Sequence, residues 1–114
     1  MSSFEPFEVR VERKGTQSVL HLSGEFDLHY KEAFEHAVEV ERRYLAQRRF
    51  GALVIDLRAL RFLDSSGLGC LLTVWKDAQD DGHSVRFVRA TGMVARLLAM
   101  TRVDELLPFV ENRE

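Results

Sequence analysis

Residues 52–57 read A-L-V-I-D-L, a nearly continuous apolar run interrupted only by Asp56. A run this short and this apolar suits a strand covered on more than one side, so it is expected at the centre of a sheet. Its neighbours must then supply both the flanking strands and the helices that cover them.

Upstream, Phe7 to Val11 alternates as F-E-V-R-V, which predicts a half-buried strand with Phe7, Val9 and Val11 on one face. Lys14, Gly15 and Thr16 read as a hairpin turn, and Val19 to Ser23 as a second strand closed by Gly24. Tyr30 to Gln47 places Tyr30, Phe34, Ala37, Val38 and Leu45 at helical spacing, with Glu32, Glu35, Glu39, Arg42 and Arg43 turned outward. Downstream, Ser65 to Gln79 has Leu68, Leu71, Leu72 and Trp75 at i, i+3, i+4 and i+7, and Asp80, Asp81 and Gly82 end this second helix. Ser84 to Val88 predicts a strand, Gly92 to Met100 a third helix with Val94, Leu97 and Leu98 inward, and Leu106 to Val110 a last short strand or turn. Strand and helix alternate after Ala52, which implies parallel pairing through right-handed crossovers. The expected fold class is α/β: one domain over residues 1–114, a mixed sheet that begins with an antiparallel hairpin. Residues 1–6 precede the first pattern, and the sequence leaves open whether they are disordered.

The segment R-F-L-D-S-S-G-L-G-C-L-L, residues 61–72, interrupts the most hydrophobic region with an acid and two hydroxyls. Asp and Ser are strong N-cap residues, because their oxygens accept from the unpaired N–H groups of a helix's first turn. One residue suffices for a cap, yet Asp64, Ser65 and Ser66 are consecutive. Gly67 and Gly69 follow, each lowering helix propensity by about 1 kcal/mol relative to Ala. Glycines there fit a close approach by another backbone or by a phosphate donor. A phosphate on such a serine would add about −1.5 to −2 charges, which the positive end of a helix tolerates. Gly67, Cys70 and Val74 form a second stripe, open to two readings: a contact surface for a partner, or packing beneath the third helix.

Sixteen Lys and Arg against 18 Asp and Glu give a formal net charge of −2, so nucleic acid and anionic lipid are not expected partners. The single cysteine, Cys70, excludes an intramolecular disulfide and a Cys-rich zinc cluster, and neither signal peptide nor membrane span is evident. The chain reads as cytoplasmic. His21, His29, His36 and His83 are scattered without metal-ligand spacing. The surroundings of Ser65 do not read G-x-S-x-G, and no P-loop or G-x-G-x-x-G occurs, so neither catalysis nor a bound cofactor or metal is expected.

"SGEFDLHY" at 23–30, "LVIDLRALRFLDSSGLGCLL" at 53–72 and "RLLAMT" at 96–101 resemble the STAS-domain anti-anti-sigma factors over nearly the whole chain. The resemblance implies partner switching: the unphosphorylated protein binds an anti-sigma factor that is also a serine kinase, and a sigma factor is freed. The kinase, using its own Mg-ATP, would phosphorylate Ser65, the first serine after the aspartate, and a serine phosphatase would reset it. Asp27 matches the family's acid beside the acceptor serine, its alternative role being N-cap of the first long helix. Asp64, Ser66 and Gly67 would support the phosphosite, while Phe62, Leu63, Gly67, Cys70 and Val74 are the candidate partner contacts. The alternative reading is a non-catalytic STAS adaptor subunit of a larger regulatory or transport assembly, with the serines serving only as a cap, and a monomer is the expected free state. Thr101, Arg102 and Val103 stand where the family often has T-G-L, so a turn glycine has become arginine.

Overall fold

The computed structural model describes residues 5–49 and 51–110. Five strands form one sheet in the order β1-β2-β3-β4-β5: β1 Glu8–Lys14, β2 Gln17–Phe26, β3 Ala52–Leu63, β4 Ser84–Val88 and β5 Phe109–Val110. β1 and β2 are antiparallel and every later pair is parallel. The expected mixed sheet with an N-terminal hairpin is therefore present, with the apolar run of β3 at its middle. Parallel neighbours cannot be joined by tight turns, and α1 (Lys31–Ala46), α2 (Ser65–Asp81) and α3 (Gly92–Met100) make the connections.

Alternation along the strands separates two faces. Leu20, Ile55 and Phe87 lie side by side in register, all fully buried, and belong to the core on which α1 and α2 pack. On the opposite face Glu12, His21, Asp56 and Arg58 form a hydrogen-bonded row across three strands. His21 Nε2 lies 2.8 Å from Glu12 and Nδ1 2.7 Å from Asp56, whose carboxylate accepts two bonds from the Arg58 guanidinium at 3.0 and 2.9 Å. Burial works to raise the Asp56 pKa, but the bonds from Arg58 and His21 outweigh it and hold the pKa at about 2. The run's one polar residue is thus satisfied where it is buried. A second buried acid, Glu41 of α1, takes two bonds from Arg13 at 2.9 and 3.0 Å and one from the Ser18 hydroxyl at 2.8 Å, tying α1 to the hairpin.

Several boundaries differ from expectation, each for a tertiary reason. β2 continues through Gly24 to Phe26. Gly24 does not end the strand: it adopts φ +82 at a register shift, and a Cβ there would sit 2.0 Å from the Pro6 carbonyl oxygen. The chain at Glu5 and Pro6 crosses closely over this glycine. Glu25 N–H donates to the Glu5 carbonyl at 3.0 Å, so residues 5 and 6 are held, while residues 1–4 lie outside the described residues. Phe7 precedes β1 and stacks on Phe26 at 4.4 Å, whereas Val11, on the edge strand, is exposed. Of the expected last strand or turn, residues 106–110, only Phe109 and Val110 form a strand, β5, and a short 3-10 turn, Val103–Glu105, precedes it.

β3 runs six residues beyond the expected Leu57, to Leu63. Past Asp56 it no longer pairs with β4 and is bonded only to β2, so alternation gives way to exposed Arg58, Ala59, Arg61 and Phe62. This overhang carries the segment after β3 out to the rim of the sheet.

Candidate functional site

Phe26 and Leu63 are register partners at the carboxyl ends of the parallel strands β2 and β3, so the residues that follow them, Asp27 and Asp64, leave the sheet side by side. Ligands and partners of open α/β sheets characteristically meet the chain outside the carboxyl ends of strands. Asp64 is the N-cap of α2. Its Oδ1 accepts from the Gly67 N–H at 2.9 Å and its Oδ2 from the Leu28 N–H at 3.2 Å, while its own N–H donates to the Phe26 carbonyl at 3.2 Å. One residue therefore caps the helix and stitches it to the end of β2.

Because Asp64 does the capping, Ser65 is released from it. Ser65 is the first residue of a 17-residue helix and is exposed, and Ser66 beside it is half-buried. Asp27 does not cap α1 directly: its Oδ1 accepts from His29 N–H at 3.0 Å and so caps the short 3-10 turn Leu28–Tyr30 that leads into α1. Gly67 is buried against the end of β2, where a Cβ would lie 2.8 Å from the Phe26 carbonyl oxygen and 2.6 Å from a Leu63 methyl carbon. It allows two elements to touch. Gly69 has open space at the same position, and only that glycine leaves room for an approaching molecule.

The face of α2 is also corrected. Gly67, Cys70, Leu71, Val74 and Ala78 are its buried residues, whereas Leu68, Leu72 and Trp75 of the expected stripe are half-buried. Cys70 and Val74, at 4% and 6% exposure, line a narrow groove with Phe34 and Val38 of α1, and Arg42 of α1 donates to the Val74 carbonyl at 3.2 Å. They pack beneath the first helix and not beneath the third. Leu63, 4% exposed, and Gly67 are likewise core, so of the five expected contacts only Phe62 is exposed. Burial pushes the Cys70 thiol pKa up, which opposes thiolate chemistry. Among the described residues no cluster of three or more His, Cys, Asp or Glu could hold a metal, and no helix is long and apolar enough to cross a membrane.

The sequence model of the family described as "Mlab, STAS domain" matches residues 9–108. The chain belongs to the STAS domain family. This STAS domain is 27% identical over 105 residues to an anti-sigma F factor antagonist from Paenibacillus polymyxa, covering 92% of this chain and 87% of that protein. The crystal structure of an anti-sigma factor antagonist from Mycobacterium paratuberculosis aligns with TM-score 0.75 and 30% identity, covering 96% of this chain and 89% of the other. The Bacillus cell fate determinant SpoIIAA, solved in its phosphorylated form, shares the fold at TM-score 0.68 and 16% identity over 94% of this chain and 93% of the other.

Sequence reasoning missed Leu28. An exposed leucine inside "DLHY" gives no periodic signal, and its backbone bond to Asp64, 36 residues away, exists only in the folded chain.

Proposed function

We propose that this STAS domain is an anti-sigma factor antagonist switched by phosphorylation of Ser65. The observation that carries the reading is the division of labour at the start of α2, where Asp64 caps the helix and Ser65 stands exposed beside it. Unphosphorylated, the rim around Ser65 would bind an anti-sigma factor with serine kinase activity, and a sigma factor would be freed to direct transcription. Phosphorylation adds about −1.5 to −2 charges and three acceptor oxygens at the helix's positive end. The domain accommodates that charge, while a partner seated over the same spot meets new bulk and repulsion. A serine phosphatase reverses the change. ATP and Mg²⁺ belong to the kinase, and this chain contributes the acceptor hydroxyl, with Asp27, Asp64 and Ser66 beside it and Phe62 on the adjoining strand. The similarity to antagonists from Paenibacillus polymyxa and Mycobacterium paratuberculosis supports this reading, and cytoplasmic residence follows from it.

The test mixes the purified protein with the anti-sigma factor kinase of its own genome and Mg-ATP, and measures intact mass. Wild type gains one phosphate and Ser65→Ala gains none. Ser65→Glu weakens anti-sigma binding with an unchanged circular dichroism spectrum. Failure of an active kinase to modify the wild type refutes the switch.

A further inference from the structure

Two surface features that do not include Ser65 are opposite in shape and in charge. The first is the outward side of α3. Val94 and Leu98 hold this helix to the core, at 1% and 2% exposure, and the other side presents Met93 and Met100 at i and i+7, 58% and 81% exposed, with half-buried Leu97 between them. Two exposed methionines on one helical stripe, with Leu97 between them partly packed on the core, form a ridge rather than a single exposed residue that needs no explanation. Arg96 flanks both methionines at i+3 and i−4 and forms no ion pair among the described residues. The chain turns beyond Met100 through Arg102, the one non-glycine residue with positive φ among those described, at +62.

The second feature is the groove of about 230 Å³ between α1 and α2. Its floor is apolar, formed by Phe34, Val38, Cys70 and Val74, and its rim carries Glu35, Glu39 and Asp77 against the single cation Arg42. Arg42 lies 3.8 Å from Asp77, and Glu39 is bridged by Arg43 at 3.2 Å. Glu35 forms no ion pair among the described residues.

We propose that the α3 ridge of one copy docks in the α1–α2 groove of a second copy, Met100 over the apolar floor and Arg96 against Glu35. Flexible methionines fit irregular apolar recesses, and each unpaired charge finds its opposite on the other surface. The two surfaces are different patches of the same chain, so the contact is heterologous, and repetition adds subunits head to tail. A nine-residue helix face is small against the area a stable interface buries, so association is weak and concentration-dependent. Neither surface includes Ser65 itself.

Sedimentation velocity of the intact protein over two decades of concentration tests this. The mean mass rises with concentration, and Met100→Glu or Glu35→Arg each lowers the association constant about tenfold or more, with unchanged circular dichroism. Arg96→Glu combined with Glu35→Arg in one chain restores association. A mixture of the Met100→Glu and Glu35→Arg proteins forms a dimer and nothing larger, because one ridge and one groove remain. A monomeric mass at every concentration overturns the proposal. So does association that the Met100 variant abolishes and the Glu35 variant leaves intact, which would mean α3 pairs with α3.

Discussion

Replacing Asp64 by Ala removes two acceptors at once, and the two losses can be estimated separately. The bond from Gly67 N–H at 2.9 Å is an N-cap, worth about 1 kcal/mol. The bond from Leu28 N–H at 3.2 Å is charge-assisted but lies at an exposed rim, which leaves roughly 1 kcal/mol. The sum, about 2 kcal/mol, corresponds to a fall in Tm of about 8–10 °C for a domain of this size. Asp64→Asn keeps an oxygen for Gly67 but has no second acceptor for Leu28, so its cost is about half. Ser65→Ala removes an exposed hydroxyl that caps nothing and stays within about 0.5 kcal/mol of wild type. Urea denaturation followed by circular dichroism measures all three. If Ser65→Ala costs as much as Asp64→Ala, the serine is a structural cap and the reasoning that frees it for modification fails.

The two glycines that follow should respond in opposite directions to alanine. Gly67→Ala forces a Cβ to 2.8 Å from the Phe26 carbonyl and destabilises by about 2 kcal/mol, whereas Gly69→Ala enters open space in a helix and stabilises by up to about 1 kcal/mol, both read from denaturation midpoints. For Asp56, whose pKa falls from the ordinary 3.8 to about 2, the folded state favours the ionised form. Its contribution, on the order of 2 kcal/mol, is fully present above the unfolded value and is lost as pH falls through the folded one. Stability measured between pH 5 and pH 2 should therefore decline less steeply in Asp56→Asn than in wild type, and equal slopes would contradict the assigned network.

Much of this fold was legible because it is written in short-range periodicity. The alternation before Val11, the apolar run at 52–57 and the helical spacing after Ser65 each force a burial pattern, and parallel connections follow from their order. The segment at residues 61–72 was legible for a related reason: an acid and two hydroxyls ahead of a helix are a local signal. What periodicity misjudged was which side of α2 goes deepest. Leu68, Leu72 and Trp75 form the larger apolar stripe, but the small residues Gly67, Cys70, Val74 and Ala78 let α2 approach α1 and the end of β2, so they are the ones buried. Gly24 misled for the same reason, since its glycine serves a crossing by residues 5 and 6 that are distant in sequence.

The succession of strands and helices along the chain, the amphipathic faces of the helices and the presence of a hydroxyl at a helix start are properties of neighbouring residues, and the sequence by itself determined them. Which hydroxyl is free was decided only by folding. That choice depends on Asp64 reaching both Gly67 and Leu28, and on the overhang of β3 that sets Asp64 beside the end of β2. Contacts between residues some 36 positions apart have no signature along the chain, because they are fixed by packing rather than by local conformational preference.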